Sequence, residues 1–229
     1  MIIEMSWNPS GTVVAMVVEN PEADRRYCLT VGREAQSGME FEDTMIHASS
    51  PTWADDHTLY IMNEPEGIAE VRIGDHAGVE VRRHLPDTAG AWRMRGGYCA
   101  GGVVHIRDNK PKTIFIGERP IYEGVGDISS VMSSGNELVW LEGGILWKMS
   151  CSGSEKKKVA ETDGSRHDTF IVAVGAEGGK AKYAYLWRDE KYLDRYDLDS
   201  GEKHVVFCLD DVISDLLKAK AVTTSNAVR

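Results

Sequence analysis

The chain has 229 residues, 42% of them apolar and 27% charged, and its 26 basic against 36 acidic side chains give a formal net charge of −10. This composition predicts a soluble globular protein that buries its core without staples. It excludes a membrane-spanning helix, because no run of 18 apolar residues occurs, and it argues against direct nucleic-acid binding, which needs a basic footprint.

The first residues, Met1-Ile2-Ile3-Glu4-Met5-Ser6-Trp7, lack the basic segment and apolar stretch of a secretory signal. A cytoplasmic or virion location is therefore expected. Short β-branched or alternating runs follow, at Thr12–Val18, Thr58–Met62, Gly102–Ile106, Glu137–Leu141 and Lys182–Trp187, separated by Gly, Asn, Asp and Pro. Such runs predict strands. Many short strands at regular spacing indicate a sandwich, a barrel or a propeller.

A repeat narrows the choice. Ser6-Trp7-Asn8-Pro9-Ser10-Gly11-Thr12 aligns with Thr52-Trp53-Ala54-Asp55-Asp56-His57-Thr58, 46 residues later. Each copy has a tryptophan, a polar turn, a threonine and an apolar strand ending at Met16 or Met62. Weaker copies start at Ala91-Trp92, with Gly96-Gly97 as the turn, at Ser129–Asn136 and near Asp168. The motif resembles the opening of blades in TolB-type and WD-repeat-like β-propellers. Trp7, Asn8, Pro9 and Gly11 match it best, and Trp53 and Asp55 match in part. The resemblance covers the first 62 residues and extends to the later units by inference. Arg195–Lys203 is similar to the turn between the last two strands of such a blade. The Gly-His…Trp-Asp signature is missing, so these are not standard WD repeats.

The resemblance implies an all-β fold, a compact five-bladed β-propeller spanning residues 1–209. At about 40–45 residues per four-stranded blade, the blades fall near 1–50, 51–90, 91–127, 128–165 and 166–209. The fourth shows its strands most plainly, at Ile128–Met132, Glu137–Leu141, Ile145–Ser150 and Lys156–Ala160. A β-sandwich with decorated loops is the alternative. Residues 210–229 change character. Asp210 caps an expected short C-terminal helix whose stripe is Val212, Ile213, Leu216 and Leu217. That stripe either packs on the propeller or docks onto another subunit.

Charge is uneven. Residues 80–120 carry 8 basic and 4 acidic side chains, including Arg82, Arg83, Arg93, Arg95, Lys110 and Lys112. They form a candidate contact for an acidic partner. Cys28, Cys99, Cys151 and Cys208 are widely spaced, with no Cys-x-x-Cys pair, and are expected to be reduced, half-buried and metal-free.

Catalytic signatures are missing. There is no phosphate-binding loop, no Gly-x-Ser-x-Gly elbow and no His-Glu-x-x-His. Gly124-Val125-Gly126 lacks the third glycine of a dinucleotide fingerprint. Arg166-His167-Asp168 and Asp55-Asp56-His57 read as polar turns. Asp197-Leu198-Asp199-Ser200-Gly201 reads as a hairpin, because it lacks the later oxygen ligands of a calcium loop. No catalytic, metal or cofactor residue is nominated.

The sequence therefore predicts a non-enzymatic binding platform or structural subunit of a larger protein assembly, such as a virion or phage-tail component. The contact residues would be Val212, Ile213, Leu216, Leu217, Arg82, Arg83, Arg93 and Arg95. A glycan-binding, lectin-like propeller is the alternative, and a glycoside hydrolase ranks third. Trp7, Trp53 and Trp92 occupy equivalent positions and are expected to be packed inside rather than to stack on sugars.

Overall fold

The computed structural model describes residues 1–19, 27–63, 65–74, 78–88, 91–92, 97–107, 111–163 and 169–212. Its strands form five antiparallel sheets in chain order. The first holds β1 (Ile2–Trp7), β2 (Val13–Glu19), β3 (Tyr27–Ala35) and β4 (Gly38–His47). The second holds β5 (Ser49–Trp53), β6 (Thr58–Asn63), β7 (Gly67–Ile73) and β8 (Val79–His84). The third holds β9 (Ala91–Trp92), β10 (Tyr98–Cys99), β11 (Gly102–Arg107), β12 (Thr113–Ile116) and β13 (Arg119–Glu123). The fourth holds β14 (Ile128–Ser134), β15 (Glu137–Glu142), β16 (Ile145–Ser150) and β17 (Lys157–Glu161), and the fifth β18 (Thr169–Glu177), β19 (Lys180–Arg188), β20 (Tyr192–Asp197) and β21 (Lys203–Cys208). The protein is a five-bladed β-propeller, each sheet a blade, and not a sandwich. From residue 209 the chain turns into a short helix, described as far as 212.

Strand pairing is local, between neighbours in sequence except for β9, which pairs β11, so each sheet is closed by short hairpins. The middle strands are nearly continuous apolar runs, because both faces of a blade are covered. The core lies between blades. Val17, Leu29 and Val31 meet Leu59, Ile61 and Val71 across the first and second sheets. Tyr60, Met62 and Ile68 meet Val103 across the second and third. Ile106 and Ile114 meet Leu138 and Trp140 across the third and fourth. Leu141 and Leu146 meet Leu186 and Tyr196 across the fourth and fifth. Among the described residues, no buried cluster joins the fifth sheet to the first.

Turns are fixed by side chains. Gly67 has φ +97°, and a Cβ there would lie 2.4 Å from Thr88 Oγ1. That hydroxyl accepts from Ile68 N at 2.8 Å and donates to Leu85 O at 2.7 Å. Only glycine allows this approach of β7 to the segment after β8.

The cysteines depart from expectation. Cys99 of β10 and Cys151, just after β16, are buried and joined by a disulfide with Cα atoms 6.6 Å apart. Their separation of 52 residues hid the pairing, since only the packing of the third sheet on the fourth brings them together. Cys28 and Cys208 are unbridged. Closing a loop of this length stabilises the fold by about 4 kcal/mol in the chain-entropy account. Thiol counting before and after reduction should give two and then four cysteines. Reduction should lower unfolding stability by about 2–4 kcal/mol in denaturant melts.

His105 of β11 is fully buried and stacks on Phe115, with centroids 5.4 Å apart. Burial pushes its pKa down to about 4, and the Arg107 charge adds to the fall against a weak bond to Val103 O. The folded state therefore binds the proton less readily than the unfolded chain. Its stability should fall as pH drops from about 6.5 to about 4, by up to about 3 kcal/mol. Melts of the His105→Phe variant over this range should lack that part of the acid lability.

Candidate functional site

The first strands of the first, second and fourth sheets border a cavity of about 590 Å³. Its walls include Ile3, Met5 and Trp7 of β1, Trp53 of β5 and Met132 of β14. The size suits a small ligand or a few inserted side chains.

Strand β1 is built unusually. Its residues alternate, yet the apolar set faces outward: Ile3, Met5 and Trp7 are 44%, 59% and 48% exposed. Glu4 and Ser6 are half-buried instead. They serve the second sheet, where Ser50 N donates to Glu4 Oε2 at 2.5 Å and Trp53 Nε1 donates to Ser6 O at 3.0 Å. Register carries the apolar face across the sheet. Trp7 pairs with Val14, Val14 with Gly32, and Gly32 with Phe41. Phe41 is 59% exposed, and its ring lies over Gly32, where a Cβ would meet it at 2.7 Å. This face points away from the second sheet, whose contacts use Ala15, Val17, Leu29 and Val31.

The fifth sheet mirrors the arrangement. Its face away from the fourth carries Phe170, Trp187, Leu193 and Phe207 in one cross-strand row. Trp187 and Phe207 are 6.0 Å apart between centroids. Val205, Val206 and Phe207 of β21 are exposed, as are Leu209 and Val212 beyond it. The first and last blades thus carry aromatic rows on their outer faces.

A polar latch joins the turns that follow β1 and β5. Asn8 Oδ1 accepts from Thr12 N and Val13 N at 2.9 and 3.0 Å. Asp55 Oδ1 accepts from His57 N and Thr58 N at 2.8 and 2.7 Å. Asp56 links the two turns by accepting from Ser10 N at 2.8 Å. Burial raises the Asp55 pKa, but the amides of His57 and Thr58 outweigh it and hold the carboxyl below the usual range.

The expected contact residues do not all gather here. Arg82 pairs with Glu80 at 3.2 Å and lines a cleft with Asp55, His57 and Arg72. Arg83 pairs with Glu70 at 2.9 Å, an acid that also accepts from Tyr60 Oη at 2.9 Å. It faces a different cleft, shared with Gly102, Glu118 and Arg119. Lys112 pairs with Asp127 at 2.5 Å. Val212 is 42% exposed. Arg93, Arg95, Lys110, Ile213, Leu216, Leu217 and Arg166-His167-Asp168 lie outside the described residues. The tryptophan expectation fails at Trp7, which is exposed where Trp53 is 8% exposed. Trp53 has Ser6 beside it and donates to its carbonyl, whereas no hydrogen-bond partner of the Trp7 indole stands among the described residues. The exposed row Ile3, Met5 and Trp7 was not singled out in the sequence. Its signal was a period-two apolar set in β1 with polar Glu4 and Ser6 between.

No protein-family model matches the chain, and no curated protein matches it in sequence. Solved structures are similar in fold. A chain of a nidogen/laminin complex superposes with a TM-score of 0.59 at 14% identity, over 88% of this chain and 78% of that one. The Cps50 (Swd1) β-propeller domain of Myceliophteria thermophila gives 0.58 at 13% identity, over 91% and 72%. The β-propeller domain of the trilobed protease from Pyrococcus furiosus, described as having an open velcro topology, gives 0.54 at 12% identity, over 92% and 68%. Among the described residues of this chain, each sheet is built from strands that follow one another in sequence.

The two equivalent tryptophans should separate by stability. Trp53→Ala should cost about 3–5 kcal/mol, as for a large buried aromatic. Trp7→Ala should cost less than about 1 kcal/mol. Urea unfolding of both variants checks this difference.

Proposed function

We propose that this chain is a non-enzymatic binding platform, a structural subunit that holds a protein partner at the inner rim and outer faces of its terminal blades. The observation that carries this reading is the inverted alternation of β1. Ile3, Met5 and Trp7 are exposed on an inner strand, continuous with Phe41. An exposed apolar face of this kind marks a protein contact. A protein partner would bury it with the outer row of the fifth sheet, where Phe207 is exposed. The helix stripe of Val212, Ile213, Leu216 and Leu217 would extend that contact, and Arg82, Arg83, Arg93 and Arg95 would steer an acidic partner.

Other readings have less support. A lectin of repeated sites needs equivalent pockets, whereas Trp53 is buried and Trp7 exposed. Hydrolysis by paired carboxylates needs two converging acids. Among the described lining of the central cavity, Glu4 supplies one, and it is bonded to Ser50 N. The disulfide supports an oxidising setting, such as a cell exterior or a particle surface, because such bridges are reduced in most cytosols. A virion or phage-tail component is one instance of this reading.

The test is purification from the native source with the stoichiometry of companions weighed. A fixed-ratio protein partner is expected with the wild type. The Met5→Ser, Trp7→Ser double variant should lose it, with urea unfolding stability within about 1 kcal/mol of wild type. A wild-type monomer with no companion, or a partner retained by the variant, overturns the proposal.

A further inference from the structure

A second site lies away from that cavity, at the seam of the third and fourth blades. Lys156 stands in the exposed loop between β16 and β17, and its ammonium is enclosed by three rings. Its Nζ lies 3.8 Å from the Trp147 ring centroid, 4.2 Å from that of Tyr122 and 5.5 Å from that of Trp140. The fourth wall is Glu142, whose Oε2 accepts from Nζ at 3.1 Å. Nζ also donates to Tyr122 Oη.

The carboxylate is fixed before any cation arrives. Glu142 Oε1 accepts from Val125 N and Gly126 N at 2.6 and 2.9 Å, and Tyr122 Oη donates to Oε2 at 2.7 Å. Its side chain is 6% exposed. A buried carboxylate with three π-faces around one point is a built cation receptor. The lysine is its least embedded member, with a side chain 28% exposed and a loop turned by Gly153 and Glu155 at φ +87° and +59°. The cage walls sit on strands, whereas their occupant sits on a loop.

We propose that Tyr122, Trp140, Trp147 and Glu142 form a binding site for an ammonium group, with Lys156 as its internal occupant. The ligand class is a primary or N-methylated ammonium that keeps at least one N–H. The rings take its charge and methyl groups, and Glu142 takes the N–H. A quaternary ammonium fits less well, because it offers Glu142 no donor. Exchange requires the 152–156 loop to withdraw Lys156. Tethering gives that lysine a high effective concentration, so the site is self-blocked in the free protein. Nothing in this proposal depends on the channel surface or on the identity of a protein partner.

The test is calorimetric titration of wild type and of Lys156→Ala with methylammonium, dimethylammonium and tetramethylammonium, with tryptophan fluorescence as a second readout. Lys156→Ala should bind methyl- and dimethylammonium saturably, at least about tenfold more tightly than wild type, and tetramethylammonium more weakly than either. Adding Glu142→Gln should lose about tenfold or more of that affinity. A folded Lys156→Ala that binds no better than wild type overturns the proposal, as does a loss of the preference for N–H ligands. If Lys156→Ala does not fold, Lys156→Gln takes its place in the same titration. Failure of both to fold, with no recovery on adding methylammonium, makes Lys156 a structural strut and overturns it equally.

Discussion

Each blade is a thin sheet with two faces, and in this chain both must be covered by something other than the sheet itself. Between neighbouring blades the cover is mutual. Leu29 and Val31 of the first sheet pack on Leu59 and Ile61 of the second, and Leu141 and Leu146 of the fourth pack on Leu186 and Tyr196 of the fifth. Burying each such side chain contributes about 1.5–3 kcal/mol before entropy is set against it. The middle strands are therefore apolar on both alternations. A five-blade series has two terminal faces, and these are the faces that carry Trp7, Met5 and Phe41 at one end and Trp187 and Phe207 at the other. The functional proposal follows from this geometry, because the faces left with exposed apolar rows are the ones a partner would cover.

Polar residues do the positioning that apolar packing cannot. A hydrophobic contact has no direction, so it does not fix how one blade is rotated on the next. Asp56 accepting from Ser10 N and Trp53 Nε1 donating to Ser6 O do fix it at the first seam. Glu142 does the same at another seam by binding the amides of Val125 and Gly126, which lie on the link between the third and fourth sheets. These bonds define where the inner strands stand around the cavity.

Much of the architecture was legible, because it is written in local sequence. Asn8 and Asp55 announce their turns through bonds to amides within five residues, and the hairpin at Asp197 does likewise with the amides of Asp199 and Ser200. The four strands of the fourth sheet were readable from apolar runs between Gly and Ser punctuation. What was not legible depends on distance in the chain. Cys99 and Cys151 meet only after two blades pack, so spacing rules for disulfides and metals had nothing to find. The exposure of Trp7 was hidden because its motif is the same as that around Trp53, and the two differ in the neighbours that packing supplies. The lysine cage draws on Tyr122, Trp140, Glu142, Trp147 and Lys156, five residues from four parts of two blades, and no short motif contains them.

The seams are therefore unequal, and the inequality is ordered along the chain. The third and fourth blades are joined by the disulfide, by Arg119 donating to Cys151 O at 3.2 Å, by the Glu142 latch and by the Tyr122 ring against Trp140, with centroids 5.0 Å apart. The first and fifth blades have no comparable fastening between them among the described residues. The covalent fastening stands at the seam of the third and fourth blades, and Met5, Trp7, Phe41 and Phe207 are exposed on the first and fifth sheets. Each lysine-cage contact lies in the third and fourth blades, so an ammonium exchanged there would sit against the sheets that the disulfide joins. Its consequences would be confined to the 152–156 loop, next to the disulfide that anchors the loop at Cys151.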